Sequence, residues 1–285
     1  MLVLKANAKI NLFLDILARL ENGYHSLFML MQSVSLGDIV TLEKQNEIEC
    51  ICNSPQIPDG EKNIAFKAAK AFFASQNIKG GVKISIEKHI PSAAGIAGGS
   101  ADAAAVLKGL NILYGTDLSD SELCRIGAKV GADIPFCIVG STMLVQNIGD
   151  VLSPLPEMPD WHIVLVKPEI DVSTAQAYAD FDSSENVNHL DCVNFLYHAA
   201  SGDYDTACRY AGNVFEQFIE VPDRVYIKSV MRKHNAKFAQ MSGSGPTVFG
   251  LFEKEEDAAA CADELKEKMK NVFLCKPAKQ GVEIV

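Results

Sequence analysis

Apolar and polar residues alternate with period two through much of the first hundred positions, a pattern that predicts strands. LFLDIL alternates weakly before the turn signal Glu21-Asn22-Gly23, and DIVTLEK, EIECIC and GVKISIEK repeat the pattern. Pro55, Pro58 and Gly60 mark a loop, after which the period becomes helical. Ile64, Ala68 and Phe72 form one stripe of a helix predicted over 63–76. Past GVKISIEK, glycines precede an Ala/Leu-rich helical pattern. Ser119 and Glu122 then make a capping box for a helix predicted to stop at Gly131.

Beyond the strand STMLVQN, Pro154, Pro156 and Pro159 are the best candidate for a domain boundary, dividing the chain into 1–155 and 156–285. The second part opens with HIVLV, a buried-type strand. Helical patterns follow over 173–180, 188–200, 203–219 and 224–234. FAQMSGSGPTVFGLF, a charged helix over 255–269 and the strand NVFLC complete it. This order is α+β, not a run of βαβ crossovers.

With 285 residues, 48% of them apolar, the chain can bury a large core without disulfides. Disorder, collagen and repeat fibres are excluded by the same content. A formal charge of −10 argues against a general binder of nucleic acid or anionic membrane, so an anionic substrate needs a local site. The eight cysteines contain no CxxC and no zinc spacing, which fits buried thiols in a cytosolic chain with no metal site of its own. Asp15 interrupts the first apolar run, and the uncharged stretches 22–37 and 134–149 carry polar residues and Gly. Neither a signal peptide nor a membrane span is expected, but a cytoplasmic protein, monomeric or weakly dimeric, acting on a small molecule.

Four segments carry candidate chemistry. In Gly95-Ile96-Ala97-Gly98-Gly99-Ser100, glycines at a strand-to-helix junction allow close backbone approach, and exposed N–H groups at the helix start make an anion site. No Gly-Lys-Ser/Thr follows, so this is not a Walker loop. Ser242, Gly243, Ser244 and Gly245 form either a hairpin turn or a second backbone surface supporting a phosphate pocket. Lys5-Ala-Asn-Ala-Lys9-Ile-Asn11 reads as a solvated face of an edge-like strand or as part of a site. Asp133, after Gly131, is a loop or cap carboxylate, or a base at the lip of a cleft.

In this order the segments resemble the GHMP kinase superfamily: the lysine-bearing strand its first motif, PSAAGIAGGSADAA its phosphate loop, MSGSGPTVFG its third motif. The resemblance spans nearly the whole chain. It implies a two-lobed α+β GHMP kinase fold, with an N-terminal ribosomal-S5-like α/β domain and a C-terminal ferredoxin-like α+β domain flanking the active site. AKINLFLDI, NGYHSL, IPSAAGIAGGSADAAA and GADIPF resemble the branch whose acceptor is a cytidine-diphosphate-linked methylerythritol. That implies transfer of the ATP γ-phosphate to the acceptor's 2-hydroxyl, in the non-mevalonate route to isoprenoid precursors. The alternatives are another small alcohol as acceptor, or nucleotide binding without catalysis.

Carried over by position, the resemblance makes Lys9 and Asp133 the catalytic pair, with Asp133 as base assisted by Lys9. Pro91, Ser92, Ala93, Ala94, Gly95, Ile96, Ala97, Gly98, Gly99, Ser100 and Ala101 become the ATP loop, with Asn63 near the adenine. Asn11 and Thr174 fall on substrate-contacting positions, Tyr24 and His25 on those that recognise cytosine, and Tyr178 on an aromatic stacking on its other face. The superfamily loop often reads Gly-Gly-Ser-Ser where this chain has Gly98-Gly99-Ser100-Ala101. One hydroxyl is missing, while backbone donation at 101 remains expected. Phosphoryl transfer also calls for Mg²⁺, held mainly through the ATP phosphates.

Overall fold

The computed structural model describes all 285 residues. Its elements are β1 (Leu2–Arg19), β2 (His25–Gln45), β3 (Glu49–Cys52), α1 (Ile64–Gln76), β4 (Gly81–Glu87), α2 (Gly98–Tyr114), α3 (Asp120–Gly127), α4 (Ile134–Val139), β5 (Thr142–Asn147) and β6 (Val151–Pro154). After the proline-rich segment come β7 (His162–Lys167), α5 (Thr174–Ser183), α6 (Cys192–Ala200), α7 (Tyr204–Tyr210), α8 (Arg224–Lys233), β8 (Phe238–Met241), β9 (Val248–Phe252), α9 (Glu255–Lys266), β10 (Asn271–Cys275) and β11 (Val282–Ile284).

The first sheet runs β11-β1-β2-β4-β3, and β2 is long enough to pair with β4 over one half and β5 over the other, with β6 beyond β5. The second sheet is antiparallel, in the order β10-β7-β9-β8. The chain changes sheet between Pro154 and His162, and its last strand, β11, returns to β1. That three-residue strand lies outside the pattern read from the sequence, too short for period two to register.

In β1 the alternation of KANAKINL is real, but its polar face is covered. The strand lies between β11 and β2, so the edge-like reading is corrected, and Lys9 and Asn11 are 4% and 0% exposed. Residues from distant parts of the chain cover that face; the Asn7 amide, for example, donates to the Gln280 carbonyl and the Glu283 carboxylate. In β7, Val164 and Val166 pack on α8 and α9 in a separate small core, while Ile163 and Leu165 join the large core. Burial on both faces explains the unbroken apolar run.

Local signals place most helix starts. Asn63 caps α1, its Oδ1 accepting from the Ala65 N–H at 2.8 Å, and Ser119 and Glu122 form the expected capping box. The helix stops short of the predicted end at Gly131: α3 ends at Gly127, and turns carry the chain on, with the Gly131 N–H bonded to the Gly127 carbonyl. The pattern over 203–219 breaks instead of continuing. α7 ends at Tyr210, where Ala211 turns extended, and Asn213 then caps a 3₁₀ turn, Val214–Gln217, while its amide donates to the Met241 and Gly243 carbonyls. The helices of 188–200 and 255–269 are shorter than their patterns, at Cys192–Ala200 and Glu255–Lys266.

Phe13 of β1 wedges the halves together: it stacks on Phe195 of α6 at 4.4 Å and meets the edge of Phe28 at 5.7 Å. Being fully buried, it has no way to relax toward water. Phe13→Ala is expected to lower stability by about 3–5 kcal/mol, read as an earlier midpoint in urea unfolding; a shift equivalent to under about 1 kcal/mol would show that the two halves do not depend on this contact.

Candidate active site

Residues from both halves enclose a cavity of about 790 Å³, within the size range of small-ligand pockets. One wall is the loop leading into α2. Ala97, at positive φ, is the N-cap of that helix and has no side chain to cap it; its carbonyl accepts the first helical bond from the Ala101 N–H. The N–H groups of Gly98, Gly99 and Ser100 therefore have no partner within the helix. No acidic residue occupies the first turn, so the positive end of the helix dipole faces the cavity uncancelled.

The geometry corrects one expectation. The Ala101 N–H is committed to Ala97 and its side chain is fully buried, so position 101 offers the cavity neither hydroxyl nor backbone donor. Ile96 is likewise buried, and its carbonyl accepts the Lys9 backbone N–H at 3.1 Å. Pro91, Ser92, Ala93, Ala94, Gly95, Ala97, Gly98, Gly99 and Ser100 all line the cavity.

Gly95 joins this loop to the third glycine segment. Its carbonyl accepts from Lys9 Nζ and from Ser242 Oγ, each at 3.1 Å. Its φ is +73°, and a Cβ there would lie 2.4 Å from the Ser242 carbonyl oxygen; a Cβ on Gly243 would lie 2.8 Å from that of Gly95. Only glycine allows these backbones to touch. Ser242 Oγ accepts the Asn11 N–H at 3.2 Å; like that of Lys9, this group points away from β2. Gly243 and Ser244 reach the cavity; Ser242 and Gly245 act behind it.

Lys9 Nζ is held by Asn11 Oδ1 at 2.7 Å as well as by Gly95. Asp133, also in the lining, sits at the N-cap of α4, yet its side chain makes no capping bond. The two line one cavity and form no ion pair; Lys9 is oriented by an amide and a carbonyl.

A recess at the other end is aromatic. Tyr24, after the hairpin turn, is 60% exposed, whereas His25 is 9% exposed. The His25 ring stacks on Tyr178 at 4.7 Å with 25° between planes, and the edge of Phe181 closes at 6.0 Å. Burial pushes the Tyr178 phenol well above its ordinary pKa, with the Asp133 charge adding to the shift. Thr174 Oγ1 lies 2.9 Å from Ser244 Oγ, linking α5 to the third glycine segment. Asn63 is not on the cavity wall: its amide is used by the α1 cap and the Pro58 carbonyl, and it acts there by placing Ile64, which does line the cavity.

Sequence reasoning missed a buried triad beneath the loop. Lys88 Nζ bridges Asp38 and, at 2.7 Å, Asp102, while Asp38 also accepts the His89 and Ile90 N–H groups. Burial pushes the Asp102 carboxyl well above the usual carboxylate range, against the pull of Lys88. The three positions share no spacing, so no local pattern could have united them. No group of three or more His, Cys, Asp or Glu side chains is arranged to hold a metal.

Comparison with known proteins agrees with this geometry. Residues 63–141 match the family profile "GHMP kinases N terminal domain" and 197–271 match "GHMP kinases C terminal". A 4-diphosphocytidyl-2-C-methyl-D-erythritol kinase of Clostridium tetani is 40% identical, covering 96% of this chain and 99% of its own. That of Clostridioides difficile is 43% identical, covering 99% and 97%. The crystal structure of a 4-(cytidine 5'-diphospho)-2C-methyl-D-erythritol kinase superposes with a TM-score of 0.79 at 29% identity over 96% of this chain and 98% of that one. A homoserine kinase from Cytophaga hutchinsonii has a TM-score of 0.80 at 20% identity, covering 100% of this chain and 97% of its own, a likeness of fold.

Ser242→Ala strands the buried Asn11 N–H and is expected to cost about 1–3 kcal/mol in urea unfolding, whereas Thr174→Ala, at the exposed rim, stays within about 0.5 kcal/mol. Equal effects would mean that the loop junction does not depend on the Ser242 hydroxyl.

Proposed function

The chain belongs to the GHMP kinase family, and from that premise we propose that it transfers the γ-phosphate of ATP to the 2-hydroxyl of 4-diphosphocytidyl-2-C-methyl-D-erythritol, giving the 2-phosphate and ADP. The observation that carries this reading is one cavity joining three parts: an uncapped helix start, a carboxylate without a partner, and an aromatic recess built around His25. The identity of 40–43% to kinases of that name, over nearly the whole chain, supports the choice of acceptor.

The residues present fit ATP. Unbonded N–H groups of Gly98, Gly99 and Ser100 suit phosphate oxygens, and Ile57 and Ile64 give an apolar wall suited to an adenine ring. Mg²⁺ is to be held mainly by the phosphates, because Asp133 and Asp182 are the only carboxylates in the lining and the Ser100 hydroxyl belongs to the phosphate-binding turn itself. When bound there it supplies neutralisation of phosphate charge.

Phosphoryl transfer is chiefly a matter of position and charge. Asp133, uncommitted as a cap, is free to take the proton of the acceptor hydroxyl. Lys9, steadied by Asn11 and Gly95, offsets charge developing on that oxygen. Tyr24 supplies a face for the cytosine beside the free edge of His25, Tyr178 backs the His25 ring, and Thr174 lies toward the acceptor. The lobes divide near 155/156, with β11 shared by the first. We place the enzyme in the cytoplasm as a monomer or weak dimer; no helix is long and apolar enough to cross a membrane.

ADP release with Mg-ATP should occur with the cytidine-linked acceptor and not with homoserine, galactose or mevalonate. Asp133→Asn should lower kcat by about 10²–10⁴ while the KM for ATP stays within a few-fold. Turnover of another alcohol alone would overturn the acceptor, and unchanged kcat in the variant would remove Asp133 from the mechanism.

A further inference from the structure

We propose that Asp182 is a positioning residue that holds His25 in one tautomer and thereby makes the aromatic recess select cytosine over uracil; this rests on the functional reading above. Asp182 Oδ1 lies 2.7 Å from His25 Nε2, and its other oxygen lies 3.4 Å from the Arg19 guanidinium. The His25 side chain is 8% exposed and that of Asp182 is 24% exposed, so water competes little at the ring. Tyr178 covers one face of the imidazole and Phe181 meets it edge-on, which prevents the ring from turning. Tyr178, Phe181 and Asp182 all come from α5, so one helix sets the position of the ring and its proton together.

An ionised carboxylate only accepts hydrogen bonds. In the neutral imidazole the proton must therefore sit on Nε2, facing Asp182, and Nδ1 keeps its lone pair. Nδ1 has no hydrogen-bond partner in the protein and is not among the fully buried polar atoms that lack one, so it keeps accessible surface, and His25 lines the cavity. Cytosine presents an amino group at C4, a donor; uracil presents a carbonyl oxygen there, an acceptor. A lone pair at Nδ1 attracts the first and repels the second. Freed from Asp182, the ring can move its proton to Nδ1 and donate to the uracil oxygen, and the distinction weakens.

The test compares the unaltered full-length protein with Asp182→Ala at pH 8. Nitrogen NMR of the ligand-free proteins should show protonated Nε2 and bare Nδ1 on His25 in the unaltered chain, and both tautomers in the variant. The kcat/KM ratio between the cytidine-linked acceptor and its uridine analogue should fall by about tenfold or more in the variant, mostly through KM. A purely structural role would depress both acceptors alike and leave the ratio unchanged. An unchanged ratio, or Nδ1 protonated in the unaltered protein, overturns the proposal. If neither acceptor is turned over, the functional reading fails. Calorimetry of cytidine and uridine monophosphates, with a non-hydrolysable ATP analogue saturating the other site, then decides the recess: a preference for cytidine that Asp182→Ala removes upholds the proposal, and equal affinities overturn it.

Discussion

One backbone oxygen organises the site. The Gly95 carbonyl accepts from the Lys9 ammonium and the Ser242 hydroxyl, so β1, the loop before α2 and the loop after β8 meet at a single atom. The contact is possible because neither Gly95 nor Gly243 carries a side chain. Support for it extends outward through amides bonded to backbone. Asn213 donates to the carbonyls of Met241 and Gly243, and Gln240 donates to that of Asn11. Each of these groups is buried, where a lost bond costs more than in water, so the junction resists loosening. The start of α2 is then aimed into the cavity by contacts that come from both ends of the chain.

Charge is handled by the same economy of position. The chain is acidic by ten charges, yet its proposed ligands are anions. Lys88, at the base of the loop, carries a charge that would suit a phosphate but is already engaged by Asp38 and Asp102. Such a buried ion cluster is weak evidence for stability. Its geometric effect is clearer: it ties β2, the strand exit after β4 and the second turn of α2 into one unit. Anion attraction is left to Lys9 and the free N–H groups of the helix start, which are fixed dipoles needing no reorganisation when a ligand arrives.

How much of this could be read from the sequence follows the range of each signal. Asn63, Ser119 and the glycines before α2 are local devices, and period and capping rules find them within a few residues. The polar face of β1 defeated the same rules, because alternation shows which residues share a face but not what covers it. Asn213, past the end of α7, is held by partners about thirty residues away. Asp182 meets His25 across 157 residues, and Asp38 meets Lys88 across 50; such pairs leave no trace in spacing. Position 101 shows the converse limit. Motif resemblance counted it as a phosphate contact, whereas the first helical bond takes its N–H and the helix turns its side chain into the core.

The separation of Lys9 from Asp133 also has a chemical consequence. A direct ion pair between them would stabilise the carboxylate and make it a poorer proton acceptor, since a close positive charge favours the ionised form. Here the ammonium is satisfied by Asn11 and Gly95, neither of which is charged, and Asp133 lines the same cavity without a partner. An alcohol placed between them would meet an acceptor for its proton and a cation for the oxygen it leaves behind, with neither group having to break a bond to the other first. Preorganisation of that kind stores the arrangement in the fold and not in the ligand. It depends on Lys9 being pinned from behind, which returns the whole arrangement to the junction at Gly95.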